Sequence, residues 1–402
     1  MKNHPLENRS TQPDLCVFIG RFEPLHAGHV RVIQEGLDRA SFMVVLVGSA
    51  NEPRTFRNPF NVAERTRMIR ETFGNNARLI VLPLEDSAYN LNDWIDRTHQ
   101  MVDAAWDMIK KQHPAAPETP TISLIGHAKD ASSFYLNLFP TWNSINVPQE
   151  HPLCATTIRK EVFGTKEMIF PELEAREREG RKWPTNEYID RYTELARAGA
   201  QALIERERAR VGQPDANLTL PVIDFLAEFI LSDDYRVVCA EYAFVARYYF
   251  IWRHAPYAPS FITADAVVVQ SGHVLMVKRN NFPGKGLWAL PGGFVEPDEF
   301  IFDGALRELH EETAIKVPPA VLRGHVKAYE LFDAPHRSSR GRTATHAYLI
   351  HLDPGPLPKI KKGGLREEDE SQKIEWVLLS KLRRDQCFED HYSIISKMTA
   401  GI

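Results

Sequence analysis

The chain has 402 residues with 49 basic and 53 acidic side chains, which gives a formal net charge of −4. At roughly 100–200 residues per domain, this length predicts two or three domains. The charge balance argues against bulk binding to a polyanion, so we expect no nucleic-acid partner. A local basic pocket for a small phosphate ligand is compatible with it.

The four cysteines lie far apart and form no CxxC pair, which argues against a zinc knuckle and a disulfide framework. Scattered thiols are typical of a cytoplasmic protein. The N-terminal stretch MKNHPLENRSTQPD lacks the apolar core of a signal peptide, and no run approaches the ~18 apolar residues of a membrane helix. We therefore expect a cytoplasmic protein with no membrane partner. The cysteines are Cys16, Cys154, Cys239 and Cys387.

The first part of the chain, from about residue 14 to 165, alternates between short apolar runs and segments with helical spacing. This order predicts parallel strands joined by crossover helices, hence a doubly wound α/β domain. Ligands of such sheets bind at the carboxyl ends of the strands. The predicted strands are LCVFIG, FMVVLVG, RLIVLPL and TISLIGH, and the predicted helices are HVRVIQEGLDRA, NVAERTRMIRETF and LNDWIDRTHQMVDAAWDMIKKQ.

The following segment, residues 171–212, is dense in charge and helical in period, which predicts a solvated pair of amphipathic helices. QPDAN predicts a turn, and two apolar segments follow it. The aromatic run YYFIWRHAPYAPSF is typical of a packed junction rather than of a flexible linker. We predict a first domain over residues 14–250 that includes this helical part, a junction over 251–262 and a second domain over 263–400.

From Thr263 onward the spacing of apolar residues becomes strand-like. ADAVVVQSGHVLMVKRN has two apolar runs around SGH and predicts a hairpin. LWALPGGFVEPDE predicts a strand and a loop, FIFDGALRELHEETA a helix, and AYLIHL and KIEWVLLS later strands. Strands around one strongly patterned helix predict a separate α+β domain.

That helix carries Glu308, Glu311 and Glu312 at spacing i, i+3 and i+4, so the three carboxylates share one face. Like charges there repel, and hard divalent cations such as Mg²⁺ neutralise such a cluster through oxygen ligands. Glu299 and Arg307 are placed to pair and to fix the preceding loop to the helix. The alternative is a surface helix whose acids are balanced by lysines, but the clustering and the PGG loop argue against it.

The stretch GGFVEPDEFIFDGALRELHEETAI resembles the signature of the Nudix hydrolases. The resemblance implies a Nudix fold and Mg²⁺-assisted attack of water on a pyrophosphate that joins a nucleoside to another group, with Mn²⁺ as an alternative metal. It implies that the three helical glutamates are catalytic metal ligands and that the loop is built by Gly293, Glu299 and Arg307. The family's glycine after the acidic pair is Ala314 here, which bears on loop geometry more than on metal binding.

The loop APHRSSRGRTATH is a candidate for substrate recognition, because the signature does not specify the substrate. It carries Arg337, Arg340 and Arg342, with Lys327 nearby, and these charges suit a phosphate. A mobile, solvated basic segment is the alternative interpretation of this loop.

The stretch GRFEPLHAGH directly follows the first predicted strand and has three interpretations. A metal site would lack a third ligand beside His26 and His29. A plain turn would need only Gly20, Pro24 and Gly28. A phosphate site would use the N–H groups of the following helix together with histidine donors.

A second stretch, CATTIRKEVFG, supports the phosphate site. Thr156 and Thr157 precede a predicted helix and Arg159 lies in its first turn, so hydroxyls, helix N–H groups and a guanidinium converge. A plain helix cap with a surface arginine is the alternative interpretation of this stretch taken alone.

GRFEPLHAGH resembles the HxGH motif of the nucleotidyltransferase superfamily. CATTIR resembles its later Ser-x-Thr-x-x-Arg motif, with Cys154 and Ala155 where serines are common and with Thr156 and Arg159 matching. RNPFNVAER, NDW and IGHAKDASSFYLNLFPTW are similar to the archaeal-type nicotinamide mononucleotide (NMN) adenylyltransferases, a group also known fused to a Nudix domain in bacteria. The likeness implies a Rossmann-like nucleotidyltransferase domain followed by a Nudix domain.

This resemblance implies that the NMN phosphate attacks the α-phosphorus of ATP, giving NAD and pyrophosphate without a protein nucleophile. It implies that His26 and His29 contact the ATP phosphates and that Arg159 assists them. Trp94 would stack on the nicotinamide ring or serve as an aromatic core residue at a helix start. The implied ATP- and NMN-binding residues are Gly20, Arg21, Phe22, Gly28, Arg57, Asn92, Trp94, Lys129 and Thr156.

An enzyme that both made and cleaved NAD would undo its own product, so we infer that the Nudix half prefers ADP-ribose and releases AMP and ribose 5-phosphate. One alternative is a cytidylyl- or pantetheine-phosphate-type nucleotidyltransferase with a Nudix half of other specificity. Another is a non-catalytic sensor of ADP-ribose or NAD that controls DNA binding. The complete set of carboxylates and the ~20 residues after the last predicted strand argue against the sensor. The expected partners are small nucleotides, and homo-oligomer formation is left open.

Overall fold

The structure is a computed structural model, and it describes residues 12–127, 136, 138–148, 154–178, 180, 186–360 and 373–402. These residues form two compact units. The first lies within Met1–Ala50, Phe60–Val162 and Ala198–Ser232, and the second comprises Asn51–Pro59, Phe163–Arg197 and Asp233–Ile402. Because the two units interleave along the chain, the boundaries at residues 250 and 263 stay predictions.

The first unit is built on a five-stranded parallel sheet, which confirms the predicted doubly wound architecture. Its strands follow the order β3-β2-β1-β4-β5. The direction of winding reverses between β1 and β4, and ligands of such sheets bind in the crevice beyond the carboxyl ends of strands at this reversal. The strands are β1 (Leu15–Gly20), β2 (Phe42–Ala50), β3 (Leu79–Glu85), β4 (Ile122–Gly126) and β5 (Asn143–Asn146).

Helices cover the sheet because their apolar faces pack on the strands. The third helix has the predicted bounds, and its buried residues Val102, Ala105 and Trp106 contact the sheet residues Leu15, Val17 and others of one hydrophobic cluster. The chain's helices are α1 (Ala27–Arg39), α2 (Val62–Thr72), α3 (Leu91–Gln112), α4 (Ala155–Phe163), α5 (Lys166–Arg178), α6 (Asn186–Arg210), α7 (Leu220–Phe229), α8 (Asp233–Ile251), α9 (Ile301–Thr313), α10 (Pro319–Gly324) and α11 (His391–Thr399).

The second unit contains a mixed seven-stranded sheet with β10-β11-β6-β7-β12 as its main order, while β8 pairs with β7 and β9 with β6. The predicted hairpin is confirmed: β6 and β7 are antiparallel, and the turn residues Ser271 and Gly272 have φ of 48° and 74°. Leu306 and Leu309 of α9 pack into the core below the sheet. The strands are β6 (Ser260–Gln270), β7 (His273–Lys278), β8 (Trp288–Ala289), β9 (Gly292–Phe294), β10 (Val326–Phe332), β11 (Arg342–His351) and β12 (Lys373–Leu378).

The four cysteines are free thiols, as the sequence predicts. None of the helices in the described ranges is long and apolar enough to cross a lipid bilayer.

Candidate active sites

The loop between β1 and α1 places both histidines of GRFEPLHAGH at the carboxyl end of β1. His26 is buried and directly precedes α1. The ring centroids of His26 and His29 lie 3.8 Å apart at an interplanar angle of 31°, and the Phe22 ring lies 4.9 Å from that of His29. Gly20 ends β1 and Gly28 lies in the first turn of α1, so the predicted loop residues gather where this sheet binds ligands.

The start of α1 is only partly available to an anion. The Ala27 N–H donates to the Asn217 carbonyl at 2.8 Å, and the Val30 N–H donates to the His26 carbonyl at 3.0 Å. Asn217 is itself held by the buried carboxylate of Glu207, which accepts from its backbone N–H at 2.8 Å and its side-chain amide at 3.0 Å. A phosphate bound at this loop would therefore be contacted mainly by histidine and arginine side chains rather than by the N–H groups of the helix.

Helix α4 brings the second predicted stretch to the same loop. The Arg159 guanidinium donates to the Glu23 carbonyl at 2.7 Å and to the Thr156 hydroxyl at 3.2 Å. Burial, followed by the positive charge of Arg21, lowers the pKa of Arg159. Two guanidinium groups that repel each other across the β1–α1 loop are complementary to the several negative charges of a polyphosphate.

A buried ion pair beneath this loop was not found from the sequence. Arg65 of α2 is 2% exposed and Glu23 is 1% exposed, and Arg65 Nε lies 3.2 Å from Glu23 Oε1. Burial raises the pKa of Glu23 to about 8, although Arg65 acts in the opposite direction. The Arg65 guanidinium also donates to the carbonyls of Arg21 at 2.8 Å and Gly48 at 2.6 Å. Arg65 therefore joins the ends of β1 and β2.

Three of the four remaining predicted residues lie within the described ranges. Arg57 belongs to the second unit, where it donates to the carbonyls of His336 and Ser338. Asn92 is exposed in the first turn of α3. Trp94 packs against the hydrophobic cluster of the first unit, with its ring centroid 6.2 Å from that of Phe139. Lys129 lies outside the described residues. Nucleotide contacts by these four residues stay predictions.

In the second unit, Arg307 joins the acidic residues of α9 to the preceding loop. Its guanidinium donates twice to Glu299, at 3.0 and 2.7 Å, and to Glu308 at 2.8 Å and Glu311 at 3.1 Å. Hydrogen bonds from Arg307 lower the pKa of Glu299, and the Glu299 carboxylate also accepts from the Glu296 N–H at 2.8 Å. The pairing of Glu299 with Arg307 therefore has the geometry that the sequence predicts.

The PGG loop lies directly against the carboxylates of α9. A Cβ atom at Gly293 would lie 2.6 Å from the Glu308 carboxyl carbon, so only glycine allows this approach. The Gly292 N–H donates to Glu312 Oε2 at 3.0 Å. Ala314, which replaces the family's glycine, ends α9 in the left-handed conformation with φ 45° and ψ 36°. Alanine adopts this conformation less favourably than glycine does.

The donor set on α9 fits a hard divalent cation. Three carboxylates share one face of α9, so oxygen donors and negative charge are concentrated as Mg²⁺ and Mn²⁺ require. No group of three His, Cys, Asp or Glu side chains in the described ranges is already arranged as metal ligands. Two of the three carboxylates, those of Glu308 and Glu311, accept hydrogen bonds from Arg307.

A cavity of about 150 Å³ opens beside these carboxylates. Glu312 lies on one wall, and Arg279, Arg337 and Arg340 lie on others. Two of the three arginines predicted for substrate binding, Arg337 and Arg340, therefore line it. Each of the three also has an acidic partner: Arg337 pairs with Asp390 at 2.8 Å, Arg340 with Glu389 at 3.7 Å and Arg342 with Asp333 at 3.3 Å. A pyrophosphate group would meet cationic and metal-binding groups together in this cavity.

Comparison with known proteins identifies both units. Residues 17–137 match the cytidylyltransferase-like family model, and residues 259–398 match the NUDIX domain model. A nicotinamide/nicotinic acid mononucleotide adenylyltransferase of Acinetobacter baylyi is 35% identical over 164 residues, which is 40% of this chain and 81% of the relative. An ADP-ribose pyrophosphatase of Methanocaldococcus jannaschii is 30% identical over 134 residues, which is 33% of this chain and 70% of the relative.

Two crystal structures of a bifunctional NMN adenylyltransferase/ADP-ribose pyrophosphatase from Francisella tularensis match the chain from end to end. They cover 96% and 97% of this chain and 99% of the relative, with a TM-score of 0.73 and identities of 29% and 30%, and the former is complexed with AMP and a Mn ion. The chain belongs to this bifunctional family. It is a nucleotidyltransferase and a Nudix hydrolase, which act in NAD biosynthesis and in ADP-ribose hydrolysis. The resemblances in both halves of the sequence are thus confirmed, and the sensor and the cytidylyl or pantetheine-phosphate alternatives are set aside.

The Nudix unit of this bifunctional enzyme contains further buried groups that the sequence did not single out. Arg279 directly follows β7, and its guanidinium lies 4.0 Å from the Phe388 ring centroid. His391 accepts the Leu290 N–H at 2.9 Å, and burial lowers its pKa well below the ordinary range, so its ring is neutral. Arg279 stands in the basic stretch KRNN, the one signal by which it could have been found.

Asp265 gives the Nudix unit a pH-dependent stability. Burial raises the pKa of Asp265 to about 6, although Arg337 and the hydroxyl of Thr345 act in the opposite direction. The ordinary pKa of an aspartate is about 3.9, so between pH 4 and 6 the folded state binds more protons than the unfolded state. The free energy of unfolding contributed by Asp265 is therefore highest below pH 4 and falls as the pH rises through 6.

Asp265→Asn removes this dependence, since asparagine can still accept from Thr345. We expect the variant to match the wild type near pH 4 and to be more stable by about 2 kcal/mol at pH 7, at roughly 1.4 kcal/mol per pKa unit. Urea unfolding at both pH values measures the difference. Equal effects of the substitution at pH 4 and pH 7 would contradict the raised pKa.

Proposed function

We propose that the first unit transfers the adenylyl group of ATP to NMN at the loop between β1 and α1. A phosphate oxygen of NMN attacks the α-phosphorus of ATP, the bond from that phosphorus to the bridging oxygen breaks, and pyrophosphate leaves. His26 and His29 donate hydrogen bonds to the phosphates, and Arg21 and Arg159 balance the charge that develops during transfer. The convergence of these four side chains at the sheet's ligand-binding edge supports the assignment.

The second unit hydrolyses ADP-ribose to AMP and ribose 5-phosphate. Glu308, Glu311 and Glu312 would hold Mg²⁺, or Mn²⁺ in its place. The metal supplies polarisation of phosphoryl oxygens and a lowered pKa for a bound water molecule. Arg279, Arg337 and Arg340 bind the pyrophosphate in the 150 Å³ cavity, and Arg307 with Glu299 keeps the PGG loop against α9. ADP-ribose is the preferred substrate because cleavage of NAD would undo the first reaction.

The end-to-end match to the bifunctional Francisella enzyme is the observation that carries this proposal. Full-length protein with Mg²⁺ is expected to form NAD and pyrophosphate from ATP and NMN, and AMP and ribose 5-phosphate from ADP-ribose. Both sets of products are measured by chromatography, with the acid analogue of NMN, CTP, NAD and NADH as comparison substrates. Faster hydrolysis of NAD than of ADP-ribose would overturn the assignment of the second unit, and transfer from CTP but not ATP would overturn that of the first.

A further inference from the structure

The segment Asn51–Pro59 belongs to the second unit, although it lies in the sequence between β2 and α2 of the first unit. The Phe56 N–H donates to the buried Glu241 carboxylate of α8 at 3.1 Å. Glu52 pairs with Arg384 at 2.5 Å, and both side chains are largely buried. The segment is therefore an anchored part of the unit that carries the hydrolase site.

Arg57 of this segment holds two carbonyl groups of the loop formed by residues 336–340, here called the cavity loop. One guanidinium nitrogen donates to the His336 carbonyl, and the other donates to the Ser338 carbonyl at 3.2 Å. These two carbonyls lie on either side of Arg337 in the chain. A planar guanidinium fixes two acceptors at once, whereas the ammonium group of a lysine is a single point charge.

The cavity loop supplies two arginines to the 150 Å³ cavity. Ser338 is 2% exposed, and its hydroxyl accepts from the Nε and from the backbone N–H of Arg340, each at 3.3 Å. Arg337 is buried and donates to Asp390 at 2.8 and 2.9 Å. Arg57 therefore holds the residues on both sides of Arg337, and one of these residues orients Arg340.

Other bonds of the cavity loop act on different groups. The Tyr249 hydroxyl donates to the Ser339 carbonyl at 3.2 Å, and the Ser339 N–H donates to Glu389 Oε1 at 3.2 Å. These bonds fix residue 339, whereas Arg57 holds the carbonyls of residues 336 and 338. Removal of the Arg57 guanidinium would therefore displace the two cavity arginines without unfolding the loop.

We propose that Arg57 is a positioning residue of the hydrolase, which holds the cavity loop so that Arg337 and Arg340 meet the pyrophosphate of the substrate. This inference rests on the hydrolase activity proposed above. The sequence resemblance implied instead that Arg57 binds ATP or NMN, and its contacts within the second unit favour the hydrolase. Misplacement of a binding group by about 1 Å lowers a rate by up to about 100-fold.

In the full-length protein, Arg57→Ala is expected to lower kcat/KM for ADP-ribose hydrolysis about 10- to 100-fold. The Mg²⁺ concentration for half-maximal activity should stay unchanged, because the carboxylates of α9 keep their positions. Arg57→Lys should restore part of the activity, since it keeps the charge but not the planar pair of donors. If Arg57→Ala fails to fold, Arg57→Lys takes its place in these comparisons.

The double variant Arg57→Ala/Arg340→Ala tests whether Arg57 acts through the cavity arginines. Its loss of kcat/KM should be well below the product of the two single losses, because residues of one network do not act independently. Arg54→Ala is the matched control. Arg54 lies in the same segment and pairs with the exposed Asp234 at 2.9 Å, so its removal should change kcat/KM by less than about two-fold.

Single losses that multiply in the double variant, or an equal loss in Arg54→Ala, would overturn this role. A fall in adenylyl transfer with ADP-ribose hydrolysis unchanged would also overturn it. Should the wild type not hydrolyse ADP-ribose at all, the proposed activity fails by itself, and amide hydrogen exchange measured by mass spectrometry decides the role of Arg57. The role stands if Arg57→Ala speeds exchange in the cavity loop and Arg54→Ala does not, and it falls with any other result.

Discussion

Glu312→Gln in the full-length protein is expected to lower the kcat of ADP-ribose hydrolysis by at least about 100-fold. The substitution removes one negative charge and one oxygen donor from the metal-binding face of α9. Glutamine keeps a carbonyl that can accept from the Gly292 N–H, now at 3.0 Å from Glu312 Oε2, so the PGG loop stays in place. The measurement is AMP release under saturating ADP-ribose and Mg²⁺.

The same variant should form NAD at a rate within about two-fold of the wild type, because separate sites respond independently to substitution. The reciprocal variant, His29→Ala, is expected to lower the kcat of adenylyl transfer by about 10²–10³, the usual effect of removing one donor to a developing negative charge. Its ADP-ribose hydrolysis should be unchanged. Loss of both activities from either substitution, in a protein with wild-type thermal unfolding, would contradict two independent sites.

The helices and strands that were predicted with the correct bounds are those in which the spacing of apolar residues reflects the burial of one face. LCVFIG and the segment Leu91–Gln112 form β1 and α3 with the predicted bounds, since apolar side chains at strand or helix period face a core. β5 escaped prediction because NSIN has a single apolar residue and lies at the edge of the sheet. β10 escaped prediction because VKAYELF does not alternate strictly between apolar and polar residues, and most of its residues are exposed or half-buried.

Motif chemistry located most of the candidate residues because their spacing along one loop or helix fixes their neighbours in space. The i, i+3, i+4 glutamates and the pairing of Glu299 with Arg307 are of this kind. Contacts between segments that are far apart in the sequence leave no comparable pattern of residue spacing. Arg57 stands next to the first unit's segments in the sequence, yet its guanidinium bonds to carbonyls about 280 residues later, in the second unit.

Arg65 is a stronger example of a contact that residue spacing could not predict. Its substitution is expected to have the largest effect on stability. In NVAERTRMIRETF it resembles the charged face of a solvated helix, but it is buried and paired with Glu23. Arg65→Met leaves the Glu23 carboxyl without this cationic partner and deprives four carbonyls of a side-chain donor. We expect a loss of about 3–5 kcal/mol in the free energy of unfolding of the first unit, measured by urea unfolding.

The bonds of Arg65 also hold strained backbone. It donates to the carbonyls of Arg21, Gly48 and Ser49, and Ser49 and Phe22 have φ of 49° and 56°. Left-handed conformations cost about 1–3 kcal/mol at residues other than glycine, so they persist only where neighbouring contacts impose them. Phe22 in turn packs against His29, and adenylyl transfer should fall in the Arg65 variant even at temperatures where it remains folded.

Arg67→Met is the matched control, two residues along the same helix. Arg67 is 44% exposed and pairs with Glu71 and Glu228 at the surface, so its loss should cost less than about 1 kcal/mol. The double variant Arg65→Met/Glu23→Gln tests the cause, because removing both partners of a buried pair costs less than leaving one buried polar group without its partner. A double variant as unstable as the sum of the single variants, or an Arg65→Met protein as stable as Arg67→Met, would show that the buried pair does not support this loop.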